Sequence, residues 1–175
     1  MRIPKFPAII LVLILGLSPV AWALGIRVNL TASLPLGLYI ATRQPSDYVT
    51  FCVGDPWERI ALERLYITPG HCPAGGIPLF KRIVARPGDL VTLDAWGISV
   101  NGRVLPRTAP MLADSFGRPM RHYPFGSYSV APGTFWVASS CDERSFDSRY
   151  YGPIAADSIR LYNLHPLLIQ GTLCS

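Results

Sequence analysis

The feature that most constrains this chain is a stretch of 21 uncharged residues near its N-terminus, Phe6–Ile26. It follows two basic residues, Arg2 and Lys5, and such a charge step before an apolar run is typical of an export signal. Small residues around Ala23 would suit cleavage by a leader peptidase. At about 1.5 Å of rise per residue, however, a helix of this length would also span the roughly 30 Å core of a bilayer. The sequence therefore predicts an exported chain in which residues 1–26 are either a removed signal peptide or a retained membrane anchor.

The remaining residues, 27–175, suit one domain. Half of the 175 residues are hydrophobic and 15% are charged, a composition that excludes a disordered chain. The formal net charge is +5, but the arginines are scattered and no nucleic-acid-binding motif occurs. We therefore expect no nucleic-acid partner and no cofactor, and the sequence leaves the oligomeric state open.

Four cysteines support the prediction of export. Cys52, Cys72, Cys141 and Cys174 are an even number, which permits two disulfides in any of three connectivities. Their order along the chain favours Cys52–Cys72 and Cys141–Cys174. A zinc site is the alternative, because His71 adjoins Cys72, but the chain has no C-x-x-C motif and we expect no metal.

The residue pattern after the N-terminal segment predicts a mostly β domain with one short helix. Segments rich in β-branched and aromatic residues, bounded by turn formers, predict strands over residues 47–53, 78–84, 90–93 and 98–105 and within 127–139. Asn101-Gly102 lies within residues 98–105 and predicts a tight hairpin there.

The short helix is predicted from its start signals. Asp55 would be the N-cap, Pro56 the first helical residue and Glu58 the residue that reaches back, with the helix ending near Tyr66. Residues 106–126 contain Pro, Gly, Arg and aromatics without a period, and we expect an irregular insertion there.

One lysine stands out among the basic residues. Fourteen of the 16 are arginines, and Lys81 is the only lysine after the N-terminal segment. Strand alternation places it on one face with Leu79 and Ile83, and burial there would favour a neutral amine that can act as a general base. The alternative is an ordinary edge-strand lysine whose stem covers apolar neighbours. Because Arg82 also lies among apolar residues, alternation alone leaves both interpretations open.

Such a base needs a hydroxyl partner, and Ser33 is the candidate. It precedes Pro35 and Gly37, two turn formers that would present its Oγ to a cleft. No G-x-S-x-G motif occurs, which argues against an α/β-hydrolase. A Ser-His-Asp site remains the alternative, and its candidate histidines, none of them in a recognisable motif, are His71, His122 and His165.

Three segments in order, residues 31–35, 80–89 and 145–152, resemble the characteristic boxes of bacterial type I signal peptidases, the serine–lysine family. The S-x-P-x-G-x-Y box that begins at Ser33 is most similar to the TraF-type conjugative-transfer branch of that family. The resemblance covers about residues 29–165. It implies a signal-peptidase-like, β-rich catalytic domain preceded by an apolar helix.

The resemblance also implies roles for individual residues. Ser33 matches the nucleophile and Lys81 the general base of the family. Thr31 occupies the position of a hydroxyl that would form the oxyanion hole together with the backbone N–H of Ser33.

The third box implies a supporting group. Ser145 matches a serine that orients the lysine, and Asp147 and Arg149 match an ion pair that holds the site together. The alternative for that pair is an incidental contact on a surface turn. The chain departs from the family at residues 139–144, where the local backbone is in question and where a cysteine would tie the segment to Cys174.

By resemblance, the expected protein is an exported serine peptidase at the periplasmic face of the inner membrane. Its partner would be an exported pilin-type precursor, cleaved through an acyl-enzyme that is resolved either by water or by the precursor's own N-terminus, which would cyclise it. General leader removal, or a non-catalytic subunit of a conjugation or secretion apparatus, are the alternatives.

Overall fold

The computed structural model describes residues 20–21, 23–171 and 174 of the chain. The strands are β1 (Ile26–Asn29), β2 (Gly37–Ala41), β3 (Tyr48–Phe51), β4 (Leu79–Ala85), β5 (Leu90–Asp94), β6 (Gly97–Val100), β7 (Arg103–Val104), β8 (Gly126–Ser129), β9 (Thr134–Ala138), β10 (Ile154–Ala155) and β11 (Ile159–Ile169). The helices are α1 (Trp57–Glu63) and α2 (Ser148–Tyr151), and a 3-10 turn covers Ala156–Ser158. The mostly β prediction is therefore confirmed. The predicted N-terminal apolar helix lies largely outside the described residues, within which no helix is long and apolar enough to cross a membrane.

Two antiparallel sheets organise these strands. The larger has the order β1-β2-β11-β3-β4-β9-β10, and the smaller has the order β7-β6-β5-β8. In the larger sheet β4 lies between β3 and β9, with Lys81 opposite Val49 and Ile83 opposite Val137. The strand that carries Lys81 is thus an interior strand, and the edge-strand interpretation of this lysine is wrong.

The alternation predicted for β4 is present in the structure. Lys81, Ile83 and Ala85 are buried, while Phe80 and Arg82 on the other face are only partly covered. Ile83 belongs to the main apolar cluster together with Val49 and the aromatic residues of the third sequence box, Phe146, Tyr150 and Tyr151. Lys81 therefore enters the protein on the same side as the core.

Several sequence predictions agree with the structure in detail. The predicted strands 47–53, 78–84 and 90–93 correspond to β3, β4 and β5. Asn101 and Gly102 have φ of 50° and 79°, the left-handed pair that a two-residue hairpin turn requires. Residues 106–125 contain only an isolated bridge, as expected for an irregular insertion, and β8 begins at Gly126.

The prediction for the helix start is wrong. Pro56 is the N-cap of α1, and no side chain caps this helix. Asp55 instead pairs with Arg59 at 2.7 Å, and Glu58 is buried, where its Oε1 accepts a hydrogen bond from the Gly76 N–H at 2.8 Å. The carboxylate of Glu58 thus serves the loop before β4 rather than the helix end.

The extent and number of helices also differ from the prediction. α1 ends at Glu63, and Leu65 with φ of 60° turns the chain before Tyr66 is reached. A second helix, α2, adds one turn after Asp147, whose side chain caps it by accepting from the Arg149 N–H. A four-residue helix has too little sequence to show a period, which explains why the pattern missed it.

Both favoured disulfides are present, Cys52–Cys72 and Cys141–Cys174. Because the thiol of Cys72 is bonded to sulfur, the zinc alternative loses the thiolate that it would need beside His71.

Candidate active site

The turn that follows β1, residues 29–35, presents Ser33 and is called the Ser33 turn below. Asn29 is buried at the end of β1, and its Nδ2 donates to the carbonyl oxygens of Thr31 and Leu34 at 2.9 Å and of Pro35 at 3.1 Å. Ser33 itself is 7% exposed. The side chain of Asn29 therefore holds together both halves of the turn around the proposed nucleophile.

Thr31 lies where an oxyanion donor is expected, but its hydroxyl is already engaged. Thr31 Oγ1 donates to Asn29 Oδ1 at 2.9 Å and lies 3.1 Å from Ser33 Oγ. Asn29 is not among the residues expected from the sequence. Its position at the start of a turn, two residues before Thr31, is typical of an Asx turn, in which an Asn or Asp side chain binds the backbone two residues on. That pattern could have indicated Asn29.

Lys81 is 5% exposed, and its burial is the main influence on its charge. Desolvation lowers the pKa of the amine from 10.5 to about 8, against the attraction of Asp147 and Asp142, while the positive charge of Arg149 lowers it further. A substantial share of the amine is therefore neutral near pH 8, which a general base requires.

Ser33, Lys81 and Ser145 line one cavity of about 570 Å³. The structure thus brings together three residues that are 48 and 64 positions apart in the sequence. No hydrogen bond joins Ser33 Oγ to Lys81 Nζ among the described residues. In sites without substrate such catalytic bonds are often long and tighten only in the complex.

Ser145 is the residue expected to orient the lysine. It is buried, and its Oγ is without a hydrogen-bond partner in the part of the chain that the structure describes. An unpaired buried hydroxyl costs roughly 1–3 kcal/mol, so this group favours any arrangement that gives it a partner. The amine of Lys81, which lines the same cavity, can supply one.

Asp147 and Arg149 form a fully buried ion pair, and the surface-turn interpretation is wrong. Arg149 Nε and Nη2 donate to the two carboxylate oxygens at 2.8 Å and 2.9 Å, and both side chains are 0% exposed. The guanidinium also donates to the Ser145 carbonyl at 2.8 Å. Neither residue of the pair lines the cavity, but Arg149 contacts the backbone of Ser145, which does.

Residues 139–144, where the sequence departs from the family, form a turn held by the Ser139 side chain. Ser139 Oγ accepts from the N–H groups of Cys141 and Asp142 at 3.0 Å and 3.3 Å. This turn delivers Ser145 to the cavity despite the unusual sequence, and Asp142 and Arg144 join the cavity wall.

The insertion, residues 106–126, forms a cavity wall that sequence reasoning missed. Met111, Phe116 and Met120 line it. Asp114 fixes the segment by accepting from Tyr66 Oη and Arg118 Nε, both at 2.7 Å. The contact with Tyr66 crosses from the insertion to the turn after α1, and no local pattern indicates it.

The histidine alternative is not supported. None of the three histidines lines the cavity: His122 stacks on Phe125, His165 contacts the Gln44 carbonyl at 3.1 Å, and His71 is exposed.

Comparisons with known proteins show which family the chain resembles. The sequence family described as signal peptidase, peptidase S26, matches residues 4–161. A plasmid transfer protein TraF from Escherichia coli is 37% identical over 164 residues, 90% of this chain and 92% of that protein. A probable conjugal transfer protein TraF from Sinorhizobium fredii is 38% identical over 82% of this chain and 78% of its own length. A solved signal peptidase I from Enterococcus faecalis aligns with a TM-score of 0.37 at 20% identity, covering 69% of this chain and 96% of that one.

Proposed function

The chain belongs to the signal peptidase family, peptidase S26, and from this premise we propose that it is a serine peptidase with Ser33 as nucleophile and Lys81 as general base. The observation that carries the proposal is the buried amine of Lys81, which lines the same cavity as Ser33 and whose pKa burial lowers to about 8. A lysine with no chemical role would gain nothing from a site that penalises its charge.

In the proposed reaction, neutral Lys81 takes the proton of Ser33 as Oγ attacks the scissile carbonyl. The Ser33 backbone N–H and the Thr31 hydroxyl stabilise the oxyanion. The lysine then gives its proton to the leaving amine, and an acyl-enzyme on Ser33 remains. Ser145 Oγ, which has no partner among the described residues, accepts from the protonated amine and holds it in place. Water or a second amine releases the acyl group.

We extend the proposal to an exported, pilin-type precursor as substrate. Two observations support this class: several relatives carry names that assign them to plasmid or conjugal transfer, and the cavity wall includes apolar residues suited to an apolar segment next to the cleavage site. The enzyme would act at the periplasmic face of the inner membrane. Attack by the precursor's own N-terminus on the acyl-enzyme would give a cyclic product.

Mass spectrometry of a co-expressed candidate pilin precursor tests the proposal. We expect the parent enzyme to shorten the precursor, and Ser33→Ala and Lys81→Arg to leave it intact, because arginine keeps the charge but cannot act as a base at neutral pH. Ser127→Ala, an exposed serine on β8 that does not line the cavity, is the matched control and should process normally.

The same spectra distinguish the alternatives. A product lighter by one water than the linear chain establishes cyclisation, and a linear product establishes hydrolysis. Normal processing by Lys81→Arg would contradict the dyad and favour a non-catalytic role in the transfer apparatus.

A further inference from the structure

We propose that Asn29 is a positioning residue of the Ser33 site: its carboxamide sets which way the hydroxyl protons of Thr31 and Ser33 point before substrate binds. The inference rests on the proposed role of Ser33 as nucleophile. Asn29 does not need to touch the substrate in this proposal, because it acts through Thr31.

The contacts of the Asn29 carboxamide determine its orientation. Nδ2 faces the carbonyl oxygens of Thr31, Leu34 and Pro35, which only accept hydrogen bonds. A flipped amide would place Oδ1 against those three oxygens, whereas the observed orientation gives the amide protons acceptors. Oδ1 must therefore face the other way, where the Thr31 N–H at 3.2 Å and the Thr31 hydroxyl at 2.9 Å lie.

Each hydroxyl carries a single proton, and this fixes which way the protons of Thr31 and Ser33 point. Asn29 Oδ1 cannot donate, so a 2.9 Å contact between it and Thr31 Oγ1 requires the Thr31 proton between them. Thr31 Oγ1 can then only accept in its 3.1 Å contact with Ser33 Oγ. The Ser33 proton in the resting enzyme consequently points to Thr31 rather than to Lys81, and no Ser33–Lys81 hydrogen bond occurs among the described residues.

Both hydroxyls have to rotate during the proposed reaction. The Ser33 proton must turn from Thr31 to Lys81 before it can be abstracted. Thr31 must turn its own proton from Asn29 Oδ1 to the developing oxyanion. Asn29 Oδ1 keeps the Thr31 N–H when this happens, and its Nδ2 keeps the turn carbonyls in place, so the backbone N–H of Ser33 stays aimed while the hydroxyls rotate.

This role predicts an effect on kcat rather than on KM, and coupling between Asn29 and Thr31. We expect Asn29→Ala and Thr31→Val each to lower kcat for precursor cleavage by about 100-fold, a loss typical for one oxyanion donor, with KM within about threefold. The double variant should be within about threefold of the slower single variant, because the Thr31 hydroxyl reaches the oxyanion only when Asn29 holds the turn that carries it, so removing both adds little to removing one.

Asn29→Asp, whose side chain has the same shape, allows a second double-mutant cycle with Thr31→Val. Its carboxylate keeps the acceptor for Thr31 but removes the donor that faces the turn carbonyls. We again expect a loss in kcat to which Thr31→Val adds little. Thr31→Ser, which keeps the hydroxyl, should stay within a few-fold of the parent.

Tyr39→Phe is the matched control. Tyr39 Oη donates to the Pro35 carbonyl at 2.9 Å, so this variant removes a hydrogen bond from the same turn without touching the Thr31 hydroxyl. It should lower the midpoint of thermal unfolding while kcat stays within about twofold of the parent.

The outcomes separate this proposal from the proposed function. If the parent fails to cleave, or Ser33→Ala still cleaves, the function is contradicted whatever Asn29 does. If those controls behave as expected but the Asn29 and Thr31 effects multiply to about 10,000-fold, the positioning role is wrong. The positioning role is equally wrong if neither Asn29 variant unfolds cooperatively, because Asn29 would then be a structural residue.

Discussion

At the scale of single residues, Lys81 shows a conflict between stability and chemistry. Its amine is buried on an interior strand, and desolvation lowers its pKa from 10.5 to about 8. In the unfolded chain the same amine binds its proton more strongly, since water solvates the charge. Folding is therefore opposed at neutral pH by the residue that the proposed reaction needs.

Replacing this lysine with the apolar Lys81→Met should stabilise the fold and abolish activity. The folded-state pKa lies below the unfolded one, so stability of the parent falls as pH decreases from 10.5 to about 8 and stays lowered below that. We expect a gain of at most about 3 kcal/mol at pH 7, shrinking through this window and absent above it. Urea unfolding at pH 7 and pH 10 measures the difference.

The activity of the parent should also rise with pH, because it depends on the neutral form of the same amine. We expect kcat/KM to rise about tenfold per pH unit below the folded-state pKa and to level off above about pH 8, where the amine is neutral.

Arg82→Met, on the opposite face of β4, is the control for the stability prediction. Its effect on the free energy of unfolding should be the same at pH 7 and at pH 10. A destabilised Lys81→Met protein at pH 7 would contradict this account of the lysine.

At the scale of elements, the one-turn helix α2 connects the cavity to the insertion. The guanidinium of Arg149 donates to the carbonyl oxygens of Arg107, Ala109 and Glu143 at 3.4, 3.1 and 2.8 Å. The Arg149 carbonyl in turn accepts from the Tyr123 N–H at 2.7 Å, near the end of the insertion. Both ends of the irregular segment are thus fastened to α2, which compensates for its lack of strand pairing.

Arg149→Lys should therefore be strongly destabilising although the charge is kept. An ammonium group cannot reproduce the planar fork that spans Asp147 and the carbonyls, so buried acceptors lose their partners. We expect a loss of about 3–5 kcal/mol in the free energy of unfolding, measured in urea. Arg59→Lys, in an exposed pair with Asp55, is the matched control and should change stability by less than about 1 kcal/mol. Equal losses in the two variants would contradict the role of α2.

At the scale of the whole molecule, the sequence predicted what is local and missed what is assembled at long range. The turn chemistry of Asn101-Gly102 depends on neighbours in the chain, so the hairpin was predictable. β11 was not, because Pro166 and two register shifts against β3 interrupt its alternation, and its partners β2 and β3 are over 100 residues away. Alternation could not choose between Lys81 and Arg82 either, since the elements that pack against the sheet, such as those carrying Phe146 and Tyr150 beside Ile83, decide which face is covered.

The candidate site likewise has a part that the sequence indicated and a part that it did not. Family boxes indicated Ser33, Lys81 and Ser145, and the cavity contains all three. The spacing of Asn29 and Thr31 indicates an Asx turn but not the link of Thr31 to Ser33, which depends on hydrogen-bond directions. The wall formed by the insertion depends on long-range contacts such as that of Asp114 with Tyr66, which no spacing encodes.

The two disulfides are each close in sequence to different residues that line the cavity. Cys141 is next to Asp142 and four residues before Ser145, and its partner Cys174 accepts a hydrogen bond through its carbonyl from Arg82 Nη1 at 3.3 Å. The Cys52–Cys72 bridge instead fastens the loop that carries Ile67 and Ile77 into the cavity wall. One bridge thus stabilises the residue expected to orient the lysine, and the other stabilises an apolar wall.

Removing each bridge by paired Cys→Ser substitution should separate these roles. The bridges span 20 and 33 residues, so chain entropy predicts similar stability losses of about 3 kcal/mol. We expect loss of Cys141–Cys174 to lower kcat at least tenfold by releasing Ser145, and loss of Cys52–Cys72 to raise KM severalfold with kcat nearly kept. Steady-state cleavage, measured well below both unfolding midpoints, tests this. Because each double variant is the stability control for the other, equal effects on kcat would show that the bridges act only through global stability.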